Sequence, residues 1–462
     1  MKSATNRKAA LIGGGGMRTP LLIYGLNESV EKTGVRELHL FDIDSERVGI
    51  MAALGKAIVA REGGSLRIVV SPSLEAAVED ADYVINSIRA GGIAARAHDE
   101  RLAFQNGYPG QETTGPAGFA MALRTIPVVL DHARIIEKHA PDCWYVSFTN
   151  PAGLITQAVT LHTSLKVIGI CDTPIELFHF IAKALDASAE DVKCEYLGLN
   201  HLGWVRRVLL KGQDVTADLL QNDAALRSLY SADLFPPGLI RGLGLIPTEY
   251  LFFYYRRDHA YKNQAHANAT RGEEIETLNR DMLREVSNCL QAGLPAEAIQ
   301  AYASYLNQRS GSYMKLEASA GSLFEKVDAY VDPFRASTGY HRMALDVMAA
   351  LNSDEPHEIV ANVRNQSAIS DFAPEDVVEV ICSFNREGAM PLACGRLPDS
   401  VRGLAVAMKA YEYAVIRAAM NPSAANAEEC LLIHPSISDW DAARRIVESM
   451  RKGDPVTFGA FN

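Results

Sequence analysis

Six short apolar runs, AALIGG, ELHLFDID, RIVVSP, DYVINSI, WYVSFTNP and KVIGICD, alternate with amphipathic segments through the first third of the chain. Runs of this length, rich in Val and Ile, form parallel strands, because the helices that connect such strands cover the sheet on both faces. Segments such as SERVGIMAALGKAIVARE and ALRTIPVVLDHARIIEKHA supply those helices. The expected fold is α/β, a doubly wound parallel sheet whose ligands sit at the carboxyl ends of its strands. After about Glu195 the pattern changes. YLGLNHLGWVRRVLLKGQDV reads as antiparallel strands and the rest as mostly helical, with a long stretch from Glu273 to Glu325. At 462 residues the chain is too long for one ordinary core, so two domains are expected, 1–195 and 196–462. No repeat or low-complexity linker separates them, so they should pack closely.

Charge and hydropathy exclude several partners. A net charge of −11 argues against nucleic acid and anionic membranes, which demand a basic surface. Any anionic ligand must be met by a few placed arginines. No apolar run approaches the roughly 20 residues of a membrane span. The N-terminus MKSATNRKAALIGG enters a strand without a signal-peptide core, which points to a cytoplasmic protein. Seven scattered cysteines with no C-x-x-C read as small buried apolar residues of a reducing compartment.

The stretch ALIGGGGMRTPLLIYGL places four glycines between an apolar run and an amphipathic one. A strand, a tight turn and a helix in this order hold the pyrophosphate of a dinucleotide at the helix N-terminus. The G-x-G-x-x-G frame does not close, since Arg18 or Thr19 occupies the third glycine position. Gly13, Gly14, Gly15, Gly16, Met17 and Arg18 are the candidate phosphate-binding residues. LHLFDID puts Asp42 and Asp44 at the end of the second strand, where an acid accepts ribose hydroxyls and favours NAD over NADP. A ligand-free tight turn is the alternative for this motif alone.

Further segments are more specific: RAGGIAARAHDERLAFQNGYPGQETTGPAGFAMALRTIP, FTNPAG, GICDTP and GLNHLGW, with IPTEYLFFYY, TRGE and VVEVICSFNREGAMPLACGRLPDSVRGL further on. Together with GGGGMRTP they resemble glycoside hydrolase family 4, the NAD- and metal-dependent glycosidases, over most of the chain. In that family the turn is commonly G-G-G-S-x-x-T-P; here Gly16 replaces the serine. The resemblance implies a Rossmann-type sheet followed by an α+β C-terminal domain, an architecture like that of lactate and malate dehydrogenases. It also implies a homodimer or homotetramer.

Cys171 and His201 each follow an apolar strand run, KVIGIC and YLGLNH. A thiolate and an imidazole together hold a divalent transition metal, leaving positions open for substrate oxygens. Spacing alone favours an ordinary buried cysteine. The resemblance implies that Cys171 and His201 are metal ligands and that the metal is Mn²⁺ or a similar ion. Asp172 reads either as an N-cap of the next helix or as an acid whose pKa burial raises. In the family, C-D is similar to the 6-phospho-α-glucosidase pattern, which makes Asp172 the candidate general acid. Tyr250 matches the family's base, with Tyr254 and Tyr255 as fallbacks. Arg96, Asn150 and Arg271 match substrate-contacting positions, the arginines at a 6-phosphate, and Glu112 matches a residue near the sugar hydroxyls. His98 and Glu100 are supporting charges. CDTP and RSGSYM depart from the family's C-D-M-P and R-G-G-A-Y.

The implied reaction is hydrolysis of a glycoside by oxidation at C3, deprotonation at C2, elimination of the aglycone, addition of water and re-reduction. The sugar is expected to carry a 6-phosphate. An unphosphorylated, sulfonated or uronic-acid glycoside is the alternative substrate. A 2-hydroxy-acid dehydrogenase of the lactate or malate type and a non-catalytic NAD sensor are the alternative functions.

Overall fold

The six expected strands form in order: β1 (Arg7–Ile12), β2 (Val35–Phe41), β3 (Arg67–Val70), β4 (Tyr83–Asn86), β5 (Trp144–Ser147) and β6 (Lys166–Gly169). The computed structural model describes residues 6–230, 232–313, 315–317, 332–335 and 339–461. These strands pair in parallel in the order β3-β2-β1-β4-β5-β6. The reversal of direction between β1 and β4 opens a crevice at their carboxyl ends.

β7 (Val192–Leu199) and β8 (Leu202–Leu210) form the expected antiparallel hairpin, followed by the short strands β9 (Gln213–Asp214) and β10 (Ile246–Pro247). The tail contains more strand than its pattern indicates: β11 (His357–Arg364), β12 (Val377–Asn385) and β13 (Gly388–Pro391). β11 and β12 insert between β6 and β7, so one sheet runs through both halves of the chain, and residue 195 lies inside β7. Short apolar runs buried in mid-sheet carry no clean alternation, which is why IVANVR and VVEVICSF do not announce themselves.

The long helical stretch is two helices, Arg271–Gln291 and Pro295–Ser310. Gly293, at φ +72°, turns the chain between them, and Pro295 starts the second. Residues 318–325 lie outside the described residues. These two helices share a second apolar core with the helices Thr19–Glu28 and Ser45–Arg61, built on Tyr24, Met51, Leu54, Met282, Val286 and Tyr302. That core presses the C-terminal helices against the glycine turn. Among the described residues no helix is long and apolar enough to cross a membrane.

Candidate active site

A cleft of about 1460 Å³ opens over the carboxyl ends of the parallel strands and reaches the helix Pro295–Ser310. Single-ligand pockets rarely exceed about 1,000 Å³, so this one has room for a dinucleotide and a sugar together. Gly13, Gly15, Gly16, Met17, Arg18, Asp42, Arg96, Glu112, Asn150, Asp172, Tyr250 and Arg271 all line it. Gly14, Cys171 and His201 do not, nor do the supporting residue His98 and the fallback tyrosines Tyr254 and Tyr255.

The glycine turn is wound tighter than a row of open donors. Gly13 and Gly14 both donate to the Phe41 carbonyl, Gly16 donates to the Gly13 carbonyl, and Gly15 donates to Asp42 Oδ2, each at 2.9 Å. All four glycine amides are therefore engaged. A Cβ on Gly13, at φ +87°, would lie 2.6 Å from the Ser87 carbonyl oxygen, and one on Gly14 would lie 2.9 Å from Leu40 Cβ. The glycines thus serve close approach of the turn to β4 and β2, and Gly14 faces β2. The Met17 amide, at the helix entrance, has no partner among the described residues. Its carbonyl accepts the Tyr302 hydroxyl at 2.7 Å, which ties the turn to the second core. Asp42 also accepts the Asp44 amide at 3.0 Å and lies 3.4 Å from Arg47. Asp44 caps the helix Ser45–Arg61, and Arg47 is a cleft residue that the sequence reading did not single out.

Arg96, on the helix Gly92–Gln105, pairs with Glu100 at 2.7 Å and Glu112 at 3.0 Å, and Arg89 closes on Glu112 at 2.6 Å. Burial would raise the Glu112 pKa, but Arg89 and Arg96 hold it down at about 2. Glu100, fully buried, also accepts the Gly272 amide at 2.6 Å, and so joins the helices that carry Arg96 and Arg271. Arg271 donates to Ser312 Oγ at 2.7 Å and to the Arg309 carbonyl at 2.8 Å. His98 sits 3.7 Å from Asp99 and is not a cleft residue. The side-chain oxygen of Asn150 is buried without a partner among the described residues.

Cys171 follows β6, and His201 occupies the two-residue turn between β7 and β8, at φ +60°, not a strand end. Cys171 Sγ lies 3.5 Å from His201 Nε2, a spacing at which one ion reaches both donors. The Thr113 hydroxyl donates to Gln111 Oε1 and stands 2.9 Å from His201 Nδ1. That pairing assigns the proton to Nδ1 and leaves the Nε2 lone pair facing the sulfur. Burial holds the imidazole pKa down at about 4. Burial, Glu379 and Asp172 push the Cys171 thiol up, an excess of negative charge that a divalent cation would reverse. Both residues sit behind the cleft wall. Tyr250 covers His201, the two rings stacked at 3.7 Å and 7°. Tyr254 stacks on His434 instead, and neither it nor Tyr255 lines the cleft.

Asp172 stands at the N-cap position of the helix Thr173–Ala184, but its side chain makes no cap hydrogen bond. Burial raises its pKa and Arg18 opposes that rise. The carboxyl remains available to the cleft.

The model of family 4 glycosyl hydrolases matches residues 8–187, and that of their C-terminal domain matches residues 196–437. The chain belongs to the family 4 glycosyl hydrolases. It is 30% identical to a probable 6-phospho-β-glucosidase of Bacillus subtilis, over 96% of this chain and 95% of that one. It is 26% identical to a 6-phospho-α-glucosidase of Lacticaseibacillus paracasei, over 95% of each. The 6-phospho-β-glucosidase of Thermotoga maritima, solved with manganese, NAD⁺ and glucose-6-phosphate, superposes with a TM-score of 0.80 at 28% identity, covering 98% of this chain and 99% of that one. Malate dehydrogenase of Plasmodium falciparum shares the fold, with a TM-score of 0.51 at 15% identity, covering 90% of this chain and 98% of that one.

This family 4 glycosyl hydrolase carries cleft residues that sequence reasoning passed over. Glu176 lies one helical turn beyond Asp172, and Glu249 precedes Tyr250; both line the cleft. Burial raises Glu176 well above its ordinary range, with Asp172 and Glu249 adding to the effect. Burial lifts Glu249 to about 7, against the Tyr313 hydroxyl that donates to it. The i, i+4 spacing from Asp172 was a usable signal for Glu176. Arg309 and Tyr313 are the arginine and tyrosine that RSGSYM shares with R-G-G-A-Y, but only the packing of Pro295–Ser310 shows that they reach the cleft.

Proposed function

We propose that this enzyme hydrolyses 6-phosphorylated glucosides with NAD⁺ and Mn²⁺, and that the C-D pair at Cys171 and Asp172 favours the α-linkage. The observation that carries the reading is the approach of Cys171 Sγ to His201 Nε2, beneath Tyr250 and beside a cleft lined by arginines. A metal site made only for structure would close with four protein ligands. Among the described residues no group of three or more His, Cys, Asp and Glu gathers to hold an ion, so two protein donors leave positions for sugar oxygens.

Met17, Arg18 and Asp42, with the turn shaped by Gly13 to Gly16, would hold NAD, and Cys171 and His201 would hold the metal. NAD⁺ supplies reversible hydride acceptance at C3, and Mn²⁺ supplies Lewis acidity at the sugar oxygens. The residues of the chain do the rest. Arg96, Arg271 and Asn150 fix the sugar with its C2 hydrogen toward Tyr250. Tyr250, a poor base at the usual tyrosine pKa of about 10, would become one with a cation held by Cys171 and His201. It takes the C2 proton. Asp172, whose protonated form burial favours, gives a proton to the leaving oxygen. Water then adds at C1, and because NAD would leave each turnover in the state in which it entered, the net change would be hydrolysis. In this division of labour residues 1–195 bind cofactor, and residues 196–462 complete the sugar and metal site and mediate self-association.

The test is a panel of 4-nitrophenyl glucosides, α and β, with and without 6-phosphate, assayed with NAD⁺ and Mn²⁺ in buffered D₂O. The expected result is cleavage of the 6-phospho-α-glucoside with deuterium incorporated at C2. Product free of C2 deuterium, with activity that survives removal of NAD and metal, would overturn the reading.

A further inference from the structure

The charges of the arginine wall do not all cancel. Arg89 and Arg96 face Glu100 and Glu112, two cations against two anions, and Arg271 pairs with Glu274 at 3.3 Å. Arg309, in the last turn of the helix Pro295–Ser310, lines the same cleft. Among the described residues no carboxylate lies within ion-pair distance of it. Its guanidinium donates to the Tyr305 hydroxyl at 2.9 Å, and Tyr305 donates onward to Asn279 at 2.7 Å, which fixes its direction. Its carbonyl accepts from Arg271 at 2.8 Å, so the two cationic residues are tied at one corner beside the Ser312 hydroxyl. Burial lowers the Arg271 pKa and the positive field of Arg309 adds to that, and the same field adds a small part to the lowering of Glu112 by Arg89 and Arg96. Arg271 and Arg309, joined through the Arg309 carbonyl and both lining the cleft, have one paired carboxylate, Glu274 on Arg271, so the pair is half-neutralised. A tetrahedral oxyanion accepting from both would complete the balance.

We infer that Arg309 is the specificity-determining residue for the anionic 6-substituent of the substrate, acting with Arg271. Arg96, doubly paired, orients its neighbours and adds no net charge. The inference rests on the 6-anionic glycosidase reading above.

The experiment compares wild type with Arg309→Gln, Arg309→Lys and Tyr305→Phe, the last removing only the hydroxyl that aims Arg309. Glucose 6-phosphate binding is measured by calorimetry with NAD⁺ and Mn²⁺ present, and KM and kcat are measured on the nitrophenyl 6-phosphoglucoside that wild type cleaves. R309Q is expected to raise Kd and KM by about tenfold to a hundredfold while kcat changes less than about threefold, as loss of charge-assisted hydrogen bonds dictates. R309K should recover part of the loss, and Y305F should weaken binding severalfold. Folded R309Q and Y305F that bind glucose 6-phosphate as wild type does would overturn the assignment alone. A wild type that binds no glucose 6-phosphate and cleaves only neutral glucosides would overturn the underlying reading with it.

Discussion

The sulfur of Cys171 and Nε2 of His201 come within 3.5 Å of each other although they belong to different structural units, the end of β6 and the β7–β8 turn. The strands that bring them together are not neighbours, because β11 and β12 lie between β6 and β7. If the pair is a metal site, Cys171→Ala weakens Mn²⁺ binding by at least about tenfold to a hundredfold, the loss typical of even an outer-shell partner. Electron paramagnetic resonance of free Mn²⁺ in a titration reads this directly. Equal affinities in wild type and variant would remove the metal from this position.

Tyr250→Phe keeps the ring that stacks on His201 and deletes only the hydroxyl. The expected outcome is a fall in kcat of about 10²–10⁴-fold, the range for a lost general base. C2 exchange with solvent deuterium should stop, with Mn²⁺ affinity unchanged. Exchange at the wild-type rate would assign the proton transfer to another group.

The joint between the two arginine-bearing helices depends on Gly272. A Cβ there would sit 2.8 Å from Ala97 Cα and 2.9 Å from its nitrogen, both backbone atoms that cannot swing aside. Gly272→Ala should destabilise the protein by about 1–3 kcal/mol and weaken glucose 6-phosphate binding, since Glu100 would lose its geometry to both helices. Gly403→Ala is the control: its Cβ meets open space on a helix, and it should be neutral or stabilising by up to about 1 kcal/mol. Thermal unfolding separates the two, and equal melting temperatures would refute the packing argument.

His434 is buried against Tyr411, its ring 4.7 Å away, and burial lowers its pKa to about 3. Above pH 6.5 it is neutral both folded and unfolded. Below 6.5 the unfolded chain binds a proton that the folded one refuses until about pH 3, so stability falls as pH falls through that window. Glu249 and Glu317, both raised to about 7 mainly by burial, act in the opposite sense between that pH and 4.5. The prediction is therefore a difference between proteins. On going from pH 7 to 5.5, wild type loses about 1 kcal/mol relative to His434→Asn. Urea unfolding at the two pH values measures it, and parallel pH dependences would contradict a neutral buried imidazole.

The alternation of apolar runs determined the parallel half-sheet and its crevice, because strand burial on both faces is a local pattern. The glycine run determined a tight turn against β2 and β4, for which a Cβ leaves no room. The family resemblance marked Cys171, Asp172, His201 and Tyr250 before any contact between them was visible, whereas spacing alone left Cys171 an ordinary buried cysteine. Tertiary structure alone decided that β11 and β12 carry the sheet across the chain, that the glycine amides are engaged internally, and that the Asp172 side chain does not cap its helix. It also decided which arginine is paired with carboxylates. Arg96 meets Glu100 four residues along its own helix, a pairing the sequence spacing allowed, and Glu112 from the loop that follows, which only the fold brings close; Arg309 donates to the Tyr305 hydroxyl instead. Periodicity and motif are properties of neighbours along the chain, whereas charge balance and donor geometry are properties of neighbours in space.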